Sequence, residues 1–352
     1  MKPMPLLSRI DYLRLVLGWL AVVGLGGIAF PSPLLHLVVV VAVIIFCAFG
    51  VVKMAESLAD ILGDPLGSLL LSLSIVVIEV ILISAVMLGP AHSATIARDS
   101  VLAVSMIILA LVMGLALLLG GIKFGGLKHN GIGASTYLIM IITLMVTAFG
   151  LPLVLGEFNK VQAVVVALLT MGLYGFFLYR QTGAQAEDFQ EPHHIQKETV
   201  AKPRDVVLRV LILLLMAIPI VLLSHEMADS MNTVLTNLKA PAALAGLVIA
   251  IIVFLPETIT SLRAAWGGEG QRLINLVHGA LVSTLGLSIP SVLLIAVISG
   301  QEIMLAPTSG EVLFVGTATA INMLAFSSHK VTAIHGAALL MIFGAYLLGM
   351  FN

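Results

Sequence analysis

The sequence predicts an all-α polytopic membrane protein of about eleven transmembrane helices, one extra N-terminal helix followed by two inverted five-helix repeats. Three observations carry this. Of 352 residues, 60% are hydrophobic and only 10% charged, with a mean hydropathy of +1.15, whereas soluble domains carry about a quarter charged residues. The apolar residues fall into runs of about 20, long enough to cross a bilayer as helices. The longest polar stretch, Gln181 to Asp205, lies near the middle. With the first span set aside it leaves five spans on either side, and an odd number per half means opposed insertion.

The first span, 12–30, follows Lys2, Arg9 and Arg14 and superficially has the look of a secretory leader. No small-x-small site follows Phe30, the turn Pro31-Ser-Pro33 leads at once into another apolar run, and the segment reads as an uncleaved helix. Spans 2 to 6 fall at 34–53, 67–89, 100–121, 134–155 and 160–180. Spans 7 to 11 fall at 207–226, 241–263, 274–300, 309–327 and 331–351. The chain thus divides into an N-terminal helix (1–33), a first repeat (34–180), a cytoplasmic linker (181–206) and a second repeat (207–352).

Basic residues test the count, because alternate loops must share a side. Lys2, Arg9, Arg14, Lys53, Lys123, Lys128, Arg180, Lys197, Lys202, Arg204, Arg209, Arg263, Arg272 and Lys330 fall on the N-terminal side; Arg98, Lys160 and Lys239 fall opposite, which accounts for all 17. The positive-inside rule then places the N-terminus in the cytoplasm and the C-terminus outside. A formal charge of −1 gives no basic face for nucleic acid, and a single cysteine, Cys47, excludes an intrachain disulfide or thiolate cluster. The partners expected are the lipid bilayer and the transported ions.

A carboxylate at mid-span costs about 2.5–3.5 kcal/mol on insertion scales and is by default a functional candidate. Glu79 lies near the centre of span 3, with Ser72 and Ser68 on the same stripe at helical spacing and Ser84 off it. Span 8 repeats the feature in Phe254-Leu-Pro-Glu-Thr-Ile-Thr-Ser-Leu262, where Pro256 should kink the helix and free carbonyls beside Glu257. Glu79 and Glu257 are the cation- and proton-binding candidates; Ser68, Ser72, Thr260, Ser261, Asn275 and Ser283 are candidates for further ligands or site lining. His278, His329 and His335 read as packing groups, and the acid and His residues from Glu187 to Glu198 as a solvated linker. His225-Glu226-Met-Ala-Asp229 lacks the spacing of a zinc hydrolase, so no enzyme activity is expected.

Gly63 to Glu79, Leu255-Pro-Glu-Thr258 and Gln271-Arg-Leu-Ile-Asn-Leu276 resemble the bacterial ChaA-type calcium/proton antiporters of the cation/calcium exchanger superfamily, over nearly the whole chain. The resemblance implies that the acids of the second helix in each repeat, here Glu79 and Glu257, meet near mid-membrane to bind the cation. The wider family has Gly-Asn before each acid and His after the second; here Val76-Val-Ile78 and Phe254-Leu-Pro256 precede them and Thr258 follows Glu257.

The expected activity is proton-coupled cation antiport across the cell inner membrane by alternating access. Two buried carboxylates are tolerable with one divalent ion or two protons, whereas the bare pair is costly to carry. Oxygen ligands suit Ca²⁺, exchanged for H⁺ without a cofactor; Na⁺ or K⁺ exchange at the same site is the alternative.

Overall fold

A computed structural model describes residues 7–28, 30–62, 73, 76–81, 83–84, 87–88, 94–190, 203–238, 243–328 and 330–350. Each expected span holds a helix among these residues. They are α1 (Arg9–Gly24), α2 (Pro33–Leu62), α3 (76–81, with further helical residues to 88), α4 (Ile96–Phe124) and α5 (Gly131–Leu155). Then come α6 (Lys160–Thr182), α7 (Pro203–Leu238), α8 (Ala243–Gly267), α9 (Gly270–Ser299), α10 (Ser309–Phe326) and α11 (Ala333–Gly349). Seven of them are long and apolar enough to cross a membrane by themselves, and α8 joins them as a bent pair. α1 and α11 are shorter, at 16 and 17 residues.

Two helices form the centre. Of the most apolar stretch of α4, 83% is buried, and of α9, 67%, whereas the other five long apolar helices bury 22–44% and lie at the periphery. The halves interlock crosswise around them: α4 packs against α8, α10 and α11 of the second half, α9 against α5 and α6 of the first, and α2 pairs with α7.

Contacts between loops sort into two ends, as an eleven-span alternation requires. At one end, Leu127–Lys128 pairs antiparallel with Lys330–Val331, Lys123 donates to the Trp266 carbonyl, and Lys53 donates to Asp11. At the other, Glu157 accepts from the backbone of Leu305 and Ala306, Met304 N donates to the Ala94 carbonyl, and Ser230 bonds His36. None of these described bonds joins loops that the span count places on opposite sides.

Three differences from the sequence reading have local causes. α2 continues to Leu62 and α7 to Leu238, past their apolar windows, because hydropathy marks the lipid boundary and not the end of helical hydrogen bonding. At the start of the linker Glu187 is exposed as expected, whereas Phe189, two residues on, is docked. Phe189 is 1% exposed, its ring packs edge-on against Tyr137 and Phe177, and its carbonyl accepts from Asn275 Nδ2 at 2.6 Å. Residues 191–202, with His193, His194 and Glu198, and also His329, lie outside the described residues.

Candidate functional site

Both mid-span acids are fully buried: Glu79 and Glu257 are each 0% exposed. Glu79, on α3 of the first half, reaches α9 of the second. Its Oε2 accepts hydrogen bonds from Thr284 Oγ1 at 2.7 Å and Ser288 Oγ at 3.0 Å, while Oε1 has no hydrogen-bond partner among the described residues. The carboxylate is thereby oriented through one oxygen, while the other is buried and unbonded among the described residues. That arrangement suits a group that exchanges a proton for a cation, since an ionised carboxylate offers about four lone-pair sites.

Thr284 and Ser288 bound a π-turn, Thr284–Ser288, that interrupts α9. α4, the corresponding third helix of the first half, carries its own π-turn at Ile107–Val112. Such turns shift the backbone partners by one residue and recur at functional sites. Tyr174 of α6 braces the α9 turn: its hydroxyl lies 2.8 Å from Ser283 Oγ, and a Cβ on Gly286 would fall 2.6 Å from the Tyr174 ring. Gly286 is therefore required for α6 to approach this closely.

The depth of Glu257 follows from two contacts between α8 and α4. Near the start of α8 the backbones touch, since a Cβ on Gly246 would lie 2.7 Å from Ser100 N. Near its end Lys123 Nζ donates to the Trp266 carbonyl at 2.8 Å. The two helices therefore run side by side in the same direction, and Glu257, about midway between those anchors, stands level with the α4 π-turn. Between Gly246–Ile252 and Glu257–Gly267 the axis of α8 turns by 54°, the kink expected at Pro256.

The remaining candidates divide. Thr260 and Ser261, on the Glu257 helix, are buried, and Ser261 Oγ has no hydrogen-bond partner among the described residues. Ser283 is engaged with Tyr174 and with the Gly279 carbonyl. Asn275 is turned to the linker: its Oδ1 accepts from Gln271 and its Nδ2 donates to Phe189. Ser68 and Ser72 lie outside the described residues. Sequence reasoning did not select Thr284 and Ser288 as partners of Glu79; their spacing of four on one helix was the available signal, without a register linking α9 to α3.

Comparison with known proteins agrees with this architecture. The sodium/calcium exchanger protein family model matches residues 32–183 and 208–352. The chain is 32% identical over 320 residues to the sodium-potassium/proton antiporter ChaA of Escherichia coli (strain K12), covering 88% of this chain and 86% of the relative. Among solved structures, YfkE superposes with a TM-score of 0.76 at 19% identity, covering 97% of this chain and 99% of that one. The H⁺/Ca²⁺ exchanger CAX superposes with a TM-score of 0.75 at 14% identity, covering 97% and 89%. The chain belongs to the sodium/calcium exchanger protein family.

Proposed function

We propose that the protein is a proton-coupled cation antiporter in which Glu79 and Glu257 take a cation or protons in turn, with Ca²⁺ as the cation exchanged for H⁺ by alternating access. The single observation that carries this reading is Glu79 itself: a fully buried mid-span carboxylate, steered by two hydroxyls of the opposite half and with Oε1 unbonded among the described residues. Glu257 supplies the second charge from the other half. A divalent ion or two protons neutralise the pair. The bare pair is too costly to reorient, and this forbids the empty crossing and couples the two fluxes. Carboxylate and hydroxyl oxygens are the donors that hard cations prefer.

A second reading, Na⁺ or K⁺ exchanged for H⁺ at the same acids, is favoured by the described activity of the E. coli relative. Proton release from everted, acid-loaded membrane vesicles on addition of Ca²⁺, Na⁺ or K⁺ separates the two. Calcium-driven release is expected; release on Na⁺ or K⁺ without a calcium response would establish the second reading. Glu79→Gln and Glu257→Gln should each abolish exchange while the protein still inserts, and full exchange in either variant refutes the shared site.

A further inference from the structure

Asn322 stands on α10 in the second half, and its side chain reaches across to α4 of the first. Nδ2 donates to the Leu109 carbonyl at 2.9 Å and to the Ala318 carbonyl, one turn back on its own helix, at 2.8 Å. Both amide hydrogens are thereby used. Oδ1 must be an acceptor, and the Nε2 of His278 on α9, 3.2 Å away, must carry the imidazole proton. The reversed amide would set Oδ1 against two carbonyl oxygens. One buried amide thus joins α4, α9 and α10, where no solvent can substitute for a lost bond.

Leu109 lies inside the α4 π-turn, at the level of Glu257 on neighbouring α8. Asn322 therefore holds irregular backbone in the helix against which α8, the carrier of the second acid, is packed. Its counterpart in the other direction is Tyr174 of the first half, which braces the α9 π-turn that holds Glu79. Each half steadies the π-turn in the third helix of the other.

We propose that Asn322 is a positioning residue for cation binding. It fixes the α4 π-turn beside Glu257 and, through His278, ties that turn to α9. The inference rests on the antiport reading and does not require Asn322 to touch the ion. Groups that orient a metal's ligands typically change its affinity by about 10- to 100-fold when removed. Loss of this brace therefore acts on cation affinity before it acts on turnover.

The test uses the full chain in everted vesicles, with the inserted protein quantified and the cation titrated. Asn322→Leu keeps the side-chain volume and removes every bond of the amide; Asn322→Ala removes the volume as well. The half-saturating cation concentration should rise about tenfold in both, with the maximal rate per inserted molecule within about threefold of the parent. A purely structural role would lower the rate with the amount of folded protein and leave half-saturation unmoved. Half-saturation within about twofold of the parent in both variants overturns the proposal. Should neither insert, Asn322→Gln decides: its amide, one methylene longer, cannot keep the Leu109 bond in place, and unchanged half-saturation there overturns the proposal equally. Glu257→Gln, assayed beside them, keeps the two readings apart. Full exchange in that variant sinks the shared acid site, whereas abolished exchange together with unmoved Asn322 variants sinks the brace alone.

Discussion

Thr284 and Ser288 donate to the same oxygen of Glu79, which fixes the carboxylate in one orientation and leaves Oε1 without a hydrogen bond among the described residues. A hydrogen bond to a charged group is worth about 1.5–3 kcal/mol, and roughly 1.4 kcal/mol is tenfold in affinity. Thr284→Val, which keeps the shape and removes the donor, should raise the half-saturating cation concentration about tenfold in vesicle titrations. Ser288→Ala should do less, its bond being longer at 3.0 Å. The acids themselves were legible in the sequence, because a charge amid Leu, Ile and Val stands out whatever surrounds it. The hydroxyls that serve Glu79 were not, being some 200 positions away and chosen by the contact between two helices. Asp11, at the opening of α1, makes the same physics measurable outside the lipid span. It is 1% exposed and accepts from Lys53 at 2.6 Å and from Ser8 Oγ at 2.7 Å. Burial alone would raise its carboxyl, but the hydrogen bonds and the Lys53 charge outweigh burial and hold it below the ordinary 3.8. A depressed value in the folded state means that the stabilisation is complete above the ordinary carboxylate range and disappears only as the pH falls through the lower folded value. Asp11→Asn should therefore lower the melting temperature of the detergent-purified protein equally at about pH 7 and about pH 5. A loss already smaller at the lower of these would contradict the buried clamp.

At the scale of a helix, α8 shows how a local rule is broken where the site needs it. A proline in a helix interior costs about 3 kcal/mol, yet α8 carries Pro256 directly before its buried acid and bends by 54° across that interval. Pro256→Ala should straighten α8, raise the melting temperature and cut exchange at least about tenfold, since removing the kink redirects the Glu257 side chain. Stability and activity moving in opposite directions would distinguish this from ordinary damage, and a straightened but fully active variant would show that the bend is incidental. The kink could be read from one residue. The two π-turns could not, because neither apolar periodicity nor composition distinguishes a shift of backbone pairing by one residue within a continuous helix. Small residues, Gly279, Ser283, Thr284 and Gly286, gather around the α9 turn, and Gly286 has a definite reason, the Tyr174 ring that a Cβ would strike. The docked start of the linker was equally hidden, since the single aromatic Phe189 amid acids reads as solvated until Tyr137, Phe177 and Asn275 are seen around it.

Across the whole molecule, the architecture was the part most plainly written, because lipid forces backbone hydrogen bonding into helices and thickness fixes their length. The stretches matched by the family model, 32–183 and 208–352, part at the same polar stretch that divided the sequence into halves. The loops then sort into two ends through bonds no hydropathy profile contains: Leu127–Lys128 beside Lys330–Val331 at one, Glu157 beneath Leu305 and Ala306 at the other. Which end meets the cytoplasm is a separate matter; the crowding of basic residues at the first end predicts that this end does. The assignment is open to direct measurement in a chain whose buried Cys47 is replaced by alanine. Single cysteines in place of exposed Lys128 and Lys330 should react with a membrane-impermeant maleimide in everted vesicles and not in intact spheroplasts. Cysteines replacing exposed Lys160 and Met304 should show the reverse. A complete exchange of the two patterns would invert the molecule and leave its helix count standing. Lys128 and Lys160 labelled from the same side would break the alternation itself, since one helix, α5, separates their loops; the opposed insertion of Glu79 and Glu257 would fall with it.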